Sequence, residues 1–353
     1  MSAIARPRAS FESATDAIEA IYDKPWSDGL PVFPPIPEYV ERTIEAGGRE
    51  GDAVLGLLKE RDVTLYVWQA ATCAVMAGCR PSYFPVVLAT WDAMFDPNFN
   101  LNTVLSSTGG ASIAAIVSGP YASEINMRSG GGVFSPGNRA NATIGRAIRL
   151  GAMAVLQAIT GELDASSFGH AGKYTFHFAE STPPKGWATL RERLGYNALD
   201  TTVSILPAES PRQIAHRFHP TAQDMLNLIG ATMRTPGGCC TGAVGHYFVV
   251  LGPEHTGVLV DAGLGPDEIR YELSRTSAIS PEELRAAGIE PNAPGTSYDE
   301  MDERGYYYSA KPENILVATA GGYGAGWSVV IPAWSMSSVS NSVTRPVRFS
   351  SVG

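Results

Sequence analysis

The chain has little cysteine, few histidines and no long apolar run, and each shortage removes a class of protein. Its four cysteines, Cys73, Cys79, Cys239 and Cys240, are spread over 353 residues. That is too thin for a disulfide framework, and the adjacent Cys239-Cys240 pair forms at best a strained vicinal bridge. Reduced thiols are therefore expected. Cys73 and Cys79 lack the Cys-x2-Cys spacing of structural zinc, and His216 and His219, three apart, are followed by Pro220 with no obvious carboxylate partner. No metal and no cofactor is expected. No apolar stretch approaches the ~18 residues of a membrane span, and residues 1–15 are polar without the apolar centre of a signal peptide. Basic residues are scarce too: 26 Lys and Arg against 35 Asp and Glu leave a net charge of −9 with no local basic run, which argues against a nucleic-acid surface. A cytoplasmic protein with no nucleic-acid or membrane partner is expected.

Apolar content, by contrast, is ample. With 44% hydrophobic and 17% charged residues, the chain can bury one large core or two domains. Residues 1–20 read as a loose arm or a first amphipathic helix. Residues 22–37 hold five prolines and must be extended, wrapping the body or a neighbouring subunit, so a homo-oligomer is expected. Helical spacing covers 38–58, 63–77, 81–95, 138–159, 221–233, 254–262 and 266–274. Strand patterns cover 113–117, 201–206, 247–251, 314–319 and 327–331, with alternation at 173–178. The stretch 280–310 is charged, bears Gly and Pro, and reads as a surface excursion.

One motif occurs twice. Thr108-Gly109, Ile116-Val117-Ser118-Gly119-Pro120 and Gly130 recur as Thr241-Gly242, Val249-Val250-Leu251-Gly252-Pro253 and Gly263 at a constant offset of 133 residues. Ser106-Ser107 precede the first Thr-Gly and Cys239-Cys240 the second. The fold class expected is α/β, with two similar βα halves related by internal duplication and a cleft between them. The arm takes 1–37, the first half 38–165 and the second half 166–353.

Three places could carry chemistry. In Arg234-Thr235-Pro236-Gly237-Gly238-Cys239-Cys240-Thr241-Gly242, glycines permit close ligand approach, and converging N–H groups would lower a cysteine pKa; His246 follows as a nearby base. In Ser129-Gly130-Gly131-Gly132 running on to Asn138, Arg139 and Asn141, a Gly-rich loop enters a long helix, which favours an anion. The helix start must then open into the same cleft as Cys240, within the ~10 Å a small ligand spans. In Gly78-Cys79-Arg80-Pro81, a new helix start and an adjacent Arg would both stabilise a Cys79 thiolate. The first-copy loop, Ser106, Ser107, Thr108 and Gly109, would bind the substrate's anion with Asn138, Arg139 and Asn141. Asp28 is a candidate binding carboxylate, although a Ser-Asp-Gly turn accounts for it equally.

The blocks Trp26-Ser27-Asp28-Gly29-Leu30-Pro31, Ala74-Val75-Met76-Ala77-Gly78-Cys79-Arg80-Pro81, Gly137-Asn138-Arg139-Ala140-Asn141-Ala142-Thr143-Ile144-Gly145-Arg146 and Gly172-Lys173-Tyr174 resemble those of a poorly characterised bacterial family. That family is associated with small partner proteins bearing a selenocysteine- or cysteine-Gly-Ser-Cys motif. The resemblance implies thiol-linked chemistry, with a small redox partner protein supplying the motif this chain lacks. The resulting expectation is a thiol-dependent enzyme acting on a small anionic or polar organic molecule. Cys240 or Cys239 would be the nucleophile or redox thiol, Cys79 a second thiol and His246 the base, in lytic or reductive carbon–heteroatom cleavage or in hydrolysis. The alternative is a non-catalytic subunit or small-ligand-binding protein of a two-component system.

Overall fold

In the computed structural model of the protein, the described residues are 6, 8–235, 237–238, 244–291, 300–334 and 341–349. The chain is mixed α/β among them. It opens with α1 (Ala14–Tyr22), capped by the Ser13 hydroxyl, and continues as an extended arm that lies on its own body. The Arg146 guanidinium grips both Asp28 carboxylate oxygens at 2.8 Å and the carbonyls of Leu30 and Pro31 at 3.1 and 2.9 Å, and the Phe33 N–H donates to the Met76 carbonyl at 3.0 Å. Asp28 is thus an anchor for the arm.

Helix α2 (Pro37–Gly47) begins on proline and stops at Gly48, whose φ of 67° is the left-handed C-cap. The helix expected over 38–58 therefore ends eleven residues early. An antiparallel hairpin of β1 (Val54–Leu58) and β2 (Val63–Tyr66) takes its place. Then come α3 (Val67–Ala77), α4 (Phe84–Met94), α5 (Leu101–Ser106), β3 (Ser112–Ser118), α6 (Pro120–Glu124), α7 (Arg139–Ala154), β4 (His177–Ala179), α8 (Leu190–Arg193) and β5 (Thr202–Ala208). The remainder is β6 (Arg212–Ala215), α9 (Ala222–Met233), β7 (Tyr247–Leu251), α10 (Pro253–Asp261), α11 (Pro266–Ser277), α12 (Pro281–Ala286), β8 (Ile315–Thr319), β9 (Trp327–Pro332) and β10 (Val343–Pro346).

Two four-stranded sheets form the body, in orders β10-β5-β3-β4 and β6-β9-β7-β8. Each has one parallel pair, β3 with β4 and β7 with β8, and is otherwise antiparallel. The edge strand that follows β5 in the chain, β6, joins the other sheet, and β10, which follows β9, joins the first. The boundary expected at residue 165 accordingly falls inside a connection of the first sheet, between β3 and β4.

Period-2 alternation assigns the layers. Ala115, Val117, Val203, Ile205 and Val343 pack with α3, α4 and α7 in one apolar cluster. Ala114, Ile116, Phe178, Leu206 and Ala208 share a second cluster with both faces of the other sheet and with α9 and α11. The order is helices, sheet, sheet, helices. The excursion at 280–310 has a small centre of its own, Ile279, Leu284 and Tyr307. No described helix is long and apolar enough to cross a membrane.

Candidate functional site at the sheet junction

The two sheets meet where β5 and β9 end. Ala208 and Ala333 form an antiparallel bridge, flanked by Glu209 N–H to Pro332 O at 2.9 Å and Trp334 N–H to Pro207 O at 2.6 Å. Ser112, the first residue of β3, pairs with Ala208, and the Ala333 N–H donates to the His246 carbonyl just before β7 at 2.8 Å. Ser112, Ala208, Ala333 and His246 thus stand in one row. At ~4.8 Å per strand, its ends lie about 14 Å apart. The segments preceding β3 and β7 leave from this one entry edge.

Residues 106–110 are held tightly there. The Ser106 hydroxyl donates to the Asn102 carbonyl (2.8 Å) and the Gly109 N–H to Ser107 Oγ (2.8 Å). The Thr108 carbonyl accepts from the Ser167 N–H at 2.9 Å. A Cβ on Gly109 would lie 1.9 Å from the Trp334 indole nitrogen, and one on Gly110, at φ 72°, would lie 2.8 Å from Gly169 Cα. Both glycines are required by close packing.

The loop that packs on 106–110 carries polar residues the sequence reading passed over. Asp164, buried, accepts from Lys173 Nζ on both oxygens (2.8 and 2.7 Å) and from Arg149 Nη2 (3.0 Å). Ser166 donates its hydroxyl to Asp164 and accepts from Lys173 Nζ at 2.6 Å. Burial alone would raise the Asp164 pKa, but the hydrogen bonds from Lys173 and Ser166 and the Lys173 and Arg149 charges hold it below the usual range. Burial lowers Lys173, against the pull of Asp164. Two cations against one carboxylate leave a net positive charge beside Gly110. An ammonium that already donates to Ser166 cannot take its proton, so this is no serine–lysine nucleophile. His170 is also consumed: Nδ1 accepts from the Gly172 N–H and Nε2 donates to the Ala208 carbonyl, both at 3.2 Å. The sequence signal, Asp-x-Ser with a Lys seven positions on, is too common in loops to single out.

His246 is partly buried at the other end of the row. Its Nδ1 lies 2.9 Å from Ser342 Oγ and accepts the Ser342 backbone N–H at 3.3 Å. A backbone N–H can only donate, so Nδ1 holds the lone pair and the proton sits on Nε2. Burial pushes the ring pKa down to about 4. The expected base is therefore a neutral ring whose other nitrogen carries a proton and cannot accept one. Cys239, Cys240, Thr241 and Gly242 lie outside the described residues.

The other expected residues lie at the opposite, exit edge. Helix α7 returns the chain from β3 to β4, so its start must sit where those parallel strands end. Asn141 bonds the Arg128 N–H and carbonyl at 2.9 and 3.0 Å, and the same carbonyl accepts from Ala179, the last residue of β4. Arg149, which reaches the entry edge, is about 12 Å beyond Asn141 along the helix axis. Asn138, Arg139 and Asn141 consequently do not share a cleft with residues 106–109. The two Asn side chains are also occupied. Asn138 caps Asn141 N–H (2.9 Å) and donates to the Asn126 carbonyl (2.8 Å), while Arg139 Nε donates to the Gly78 carbonyl at 2.9 Å. The glycine loop at 130–132 abuts a second one, with a Cβ on Gly322 falling 2.6 Å from Gly131 Cα. Cys79 is buried at this edge and donates its thiol to the Thr143 carbonyl at 3.3 Å. Burial pushes its pKa up to about 12, against the lowering from that hydrogen bond and from Arg139 and Arg146, the reverse of the thiolate expected. Cys73, also buried, is likewise raised to about 12.

Among the described residues, no group of His, Cys, Asp and Glu could hold a metal ion. No protein-family model matches the chain, and no curated protein matches it.

Proposed function

We propose that the protein is a thiol-dependent enzyme acting on a small anionic or polar organic molecule, with its site at the entry edge of the sheet junction. The observation that carries the reading is the row Ser112–Ala208–Ala333–His246. It sends the segments that precede β3 and β7 out from one edge, and those segments carry Ser106-Ser107 and Cys239-Cys240 in the sequence. The nucleophile or redox thiol is Cys239 or Cys240. The net positive charge of Arg149 and Lys173 over Asp164 suits an anionic substrate. Internal duplication is part of the proposal, supported by the matching strand order and directions of the two sheets and by the paired hydrogen bonds around Ala208 and Ala333. In sheet register Ser112 corresponds to His246, one residue off the 133 spacing of the motifs.

The thiolate either adds to carbon and expels a heteroatom, or attacks an acyl carbon. A reductive course takes its electrons from a small dithiol partner protein, of the kind the family resemblance implies. Iodoacetamide labelling of the native protein tests the reading. One cysteine in the 239–240 pair that reacts fast, with an apparent pKa well below the free value of ~8.5, is the expected result. Four slow, protected thiols would instead favour a non-catalytic ligand-binding subunit, and activity surviving both Cys239→Ser and Cys240→Ser would eliminate the thiol mechanism.

A further inference from the structure

We infer a ligand site for a small organic carboxylate with an apolar body, in the cavity between the end of α2, the start of β1, α4 and the residues that follow β10. The cavity holds about 590 Å³, within the range of small-molecule sites, and all of its lining residues are among those described. It is remote from the site proposed for the thiols. Arg345 on β10 pairs with Val203, and Val203 with Val117, which places it five residues along β3 from the Ser112–Ala208 pair, about 17 Å. β10 is also the edge strand of its sheet.

Three guanidinium groups line the cavity, and two are committed. Arg49, which follows the left-handed stop at Gly48, places both terminal nitrogens on Asp92 of α4, Nη1 at 2.9 Å. Arg345 shares the helix-side face of its strand with the buried Val343 and Val347; it donates Nη2 to Asp96 and Nη1 to the Thr344 carbonyl at 2.9 Å. Arg348 lines the cavity, is exposed, and has no hydrogen-bond or ion-pair partner among the described residues. Three arginines against Asp92 and Asp96 leave one net positive charge, which suits a monoanion, and an open guanidinium fork matches a carboxylate in shape. The apolar wall is Val54 and Phe349, both exposed. The Phe349 ring stands 4.5 Å from Tyr121, edge to face, and Tyr121 donates its hydroxyl to the Ser82 carbonyl at 2.7 Å. A fixed ring beside a free guanidinium fits a carboxylate that carries an apolar body.

Ligand-observed NMR on the intact protein at constant ionic strength tests this, with benzoate, acetate and inorganic phosphate as probes. Benzoate is expected to bind more tightly than acetate, and phosphate no more tightly than acetate. Arg348→Gln, at an exposed position, is expected to weaken benzoate roughly 10-fold, the loss of a hydrogen bond to a charged group. Arg348→Lys, which keeps the charge without the fork, should weaken it only a few-fold. Phe349→Ala is expected to bring benzoate down to the level of acetate and leave acetate unchanged. Equal benzoate affinity in wild type and Arg348→Gln, a benzoate affinity that Phe349→Ala leaves intact, or phosphate bound in preference to benzoate would each overturn the assignment.

Discussion

Replacing Asp164 with Asn removes the one anion of a cluster that ties 164–173 to both α7 and residues 106–110. The Asp164 side chain is 2% exposed, Lys173 16% and Arg149 14%. The substitution leaves Lys173 with the Ser166 hydroxyl and Arg149 with Thr160 Oγ1 at 2.9 Å. Breaking a buried ion pair from one side costs about 3–5 kcal/mol. Both cations keep some contact with water, which places this case near ~3 kcal/mol, a fall in melting temperature of roughly 5 °C for a chain this size. Asp164→Asn/Lys173→Met removes charge from both sides and should recover more than ~1 kcal/mol of that loss. Denaturant melts of the single and double variants provide the cycle, and amide exchange at Ser167, whose N–H holds the Thr108 carbonyl, reports the loop directly. The folded carboxylate sits below its unfolded pKa of ~3.9. Its contribution is therefore present above that pH and lost as pH falls through the folded value, so wild-type and variant stabilities converge in acid. A cost under ~1 kcal/mol with no coupling would mean the cluster is a solvated surface pair, and the argument for a structured positive patch at the entry edge would fail.

Three further outcomes are expected. Gly109→Ala should lose about 1–3 kcal/mol by overpacking against Trp334 and recover in Gly109→Ala/Trp334→Leu, read by thermal melts; an unaffected single variant contradicts the close approach. His177, fully buried with Nδ1 unpartnered and its pKa lowered to about 3 by burial, and His246, lowered to about 4, contribute stability present above their unfolded ~6.5. That stability should be lost as pH falls toward 4, on the order of 3 kcal/mol for each ring, and His177→Leu should flatten the pH dependence of unfolding measured in urea. Cys79 should stay unlabelled by iodoacetamide in the native protein at pH 8 while labelling fully in urea, as read by peptide mass spectrometry; native labelling would contradict its burial.

Much of the body was legible in local pattern. The strands at 113–117, 201–206, 247–251, 314–319 and 327–331 and the helix at 221–233 stand within two residues of their expected limits, because continuous apolar runs and clear caps are local signals. The failures share a cause. Residues 38–58 have one helical spacing, yet Gly47-Gly48 offers a left-handed stop and Val63, Leu65 and Tyr66 offer 54–58 a partner, so tertiary pairing overrode periodicity. Strands β6 and β10 are four residues long and pair across the junction into the opposite sheet, and nothing in either segment states its partner.

The site failed in a more instructive way. Residues 106–109 were assigned to the substrate as the first copy of the repeated loop and 138–141 as a Gly-rich helix start, but one precedes β3 and the other opens α7, which leads from β3 to β4. Chain direction alone separates them: a strand of seven residues spans about 20 Å, and a helix joining parallel strands must start at the end where the strand stops. Segments at equivalent places in two sheets, by contrast, are brought together however far apart they are in the chain. Ser112 and His246 share the junction row for that reason, and in the sequence Cys239-Cys240 precede β7 as Ser106-Ser107 precede β3. On the same argument, Cys79, bonded to the Thr143 carbonyl in the first turn of α7, belongs to the exit edge and cannot be the second thiol of a site at the entry edge.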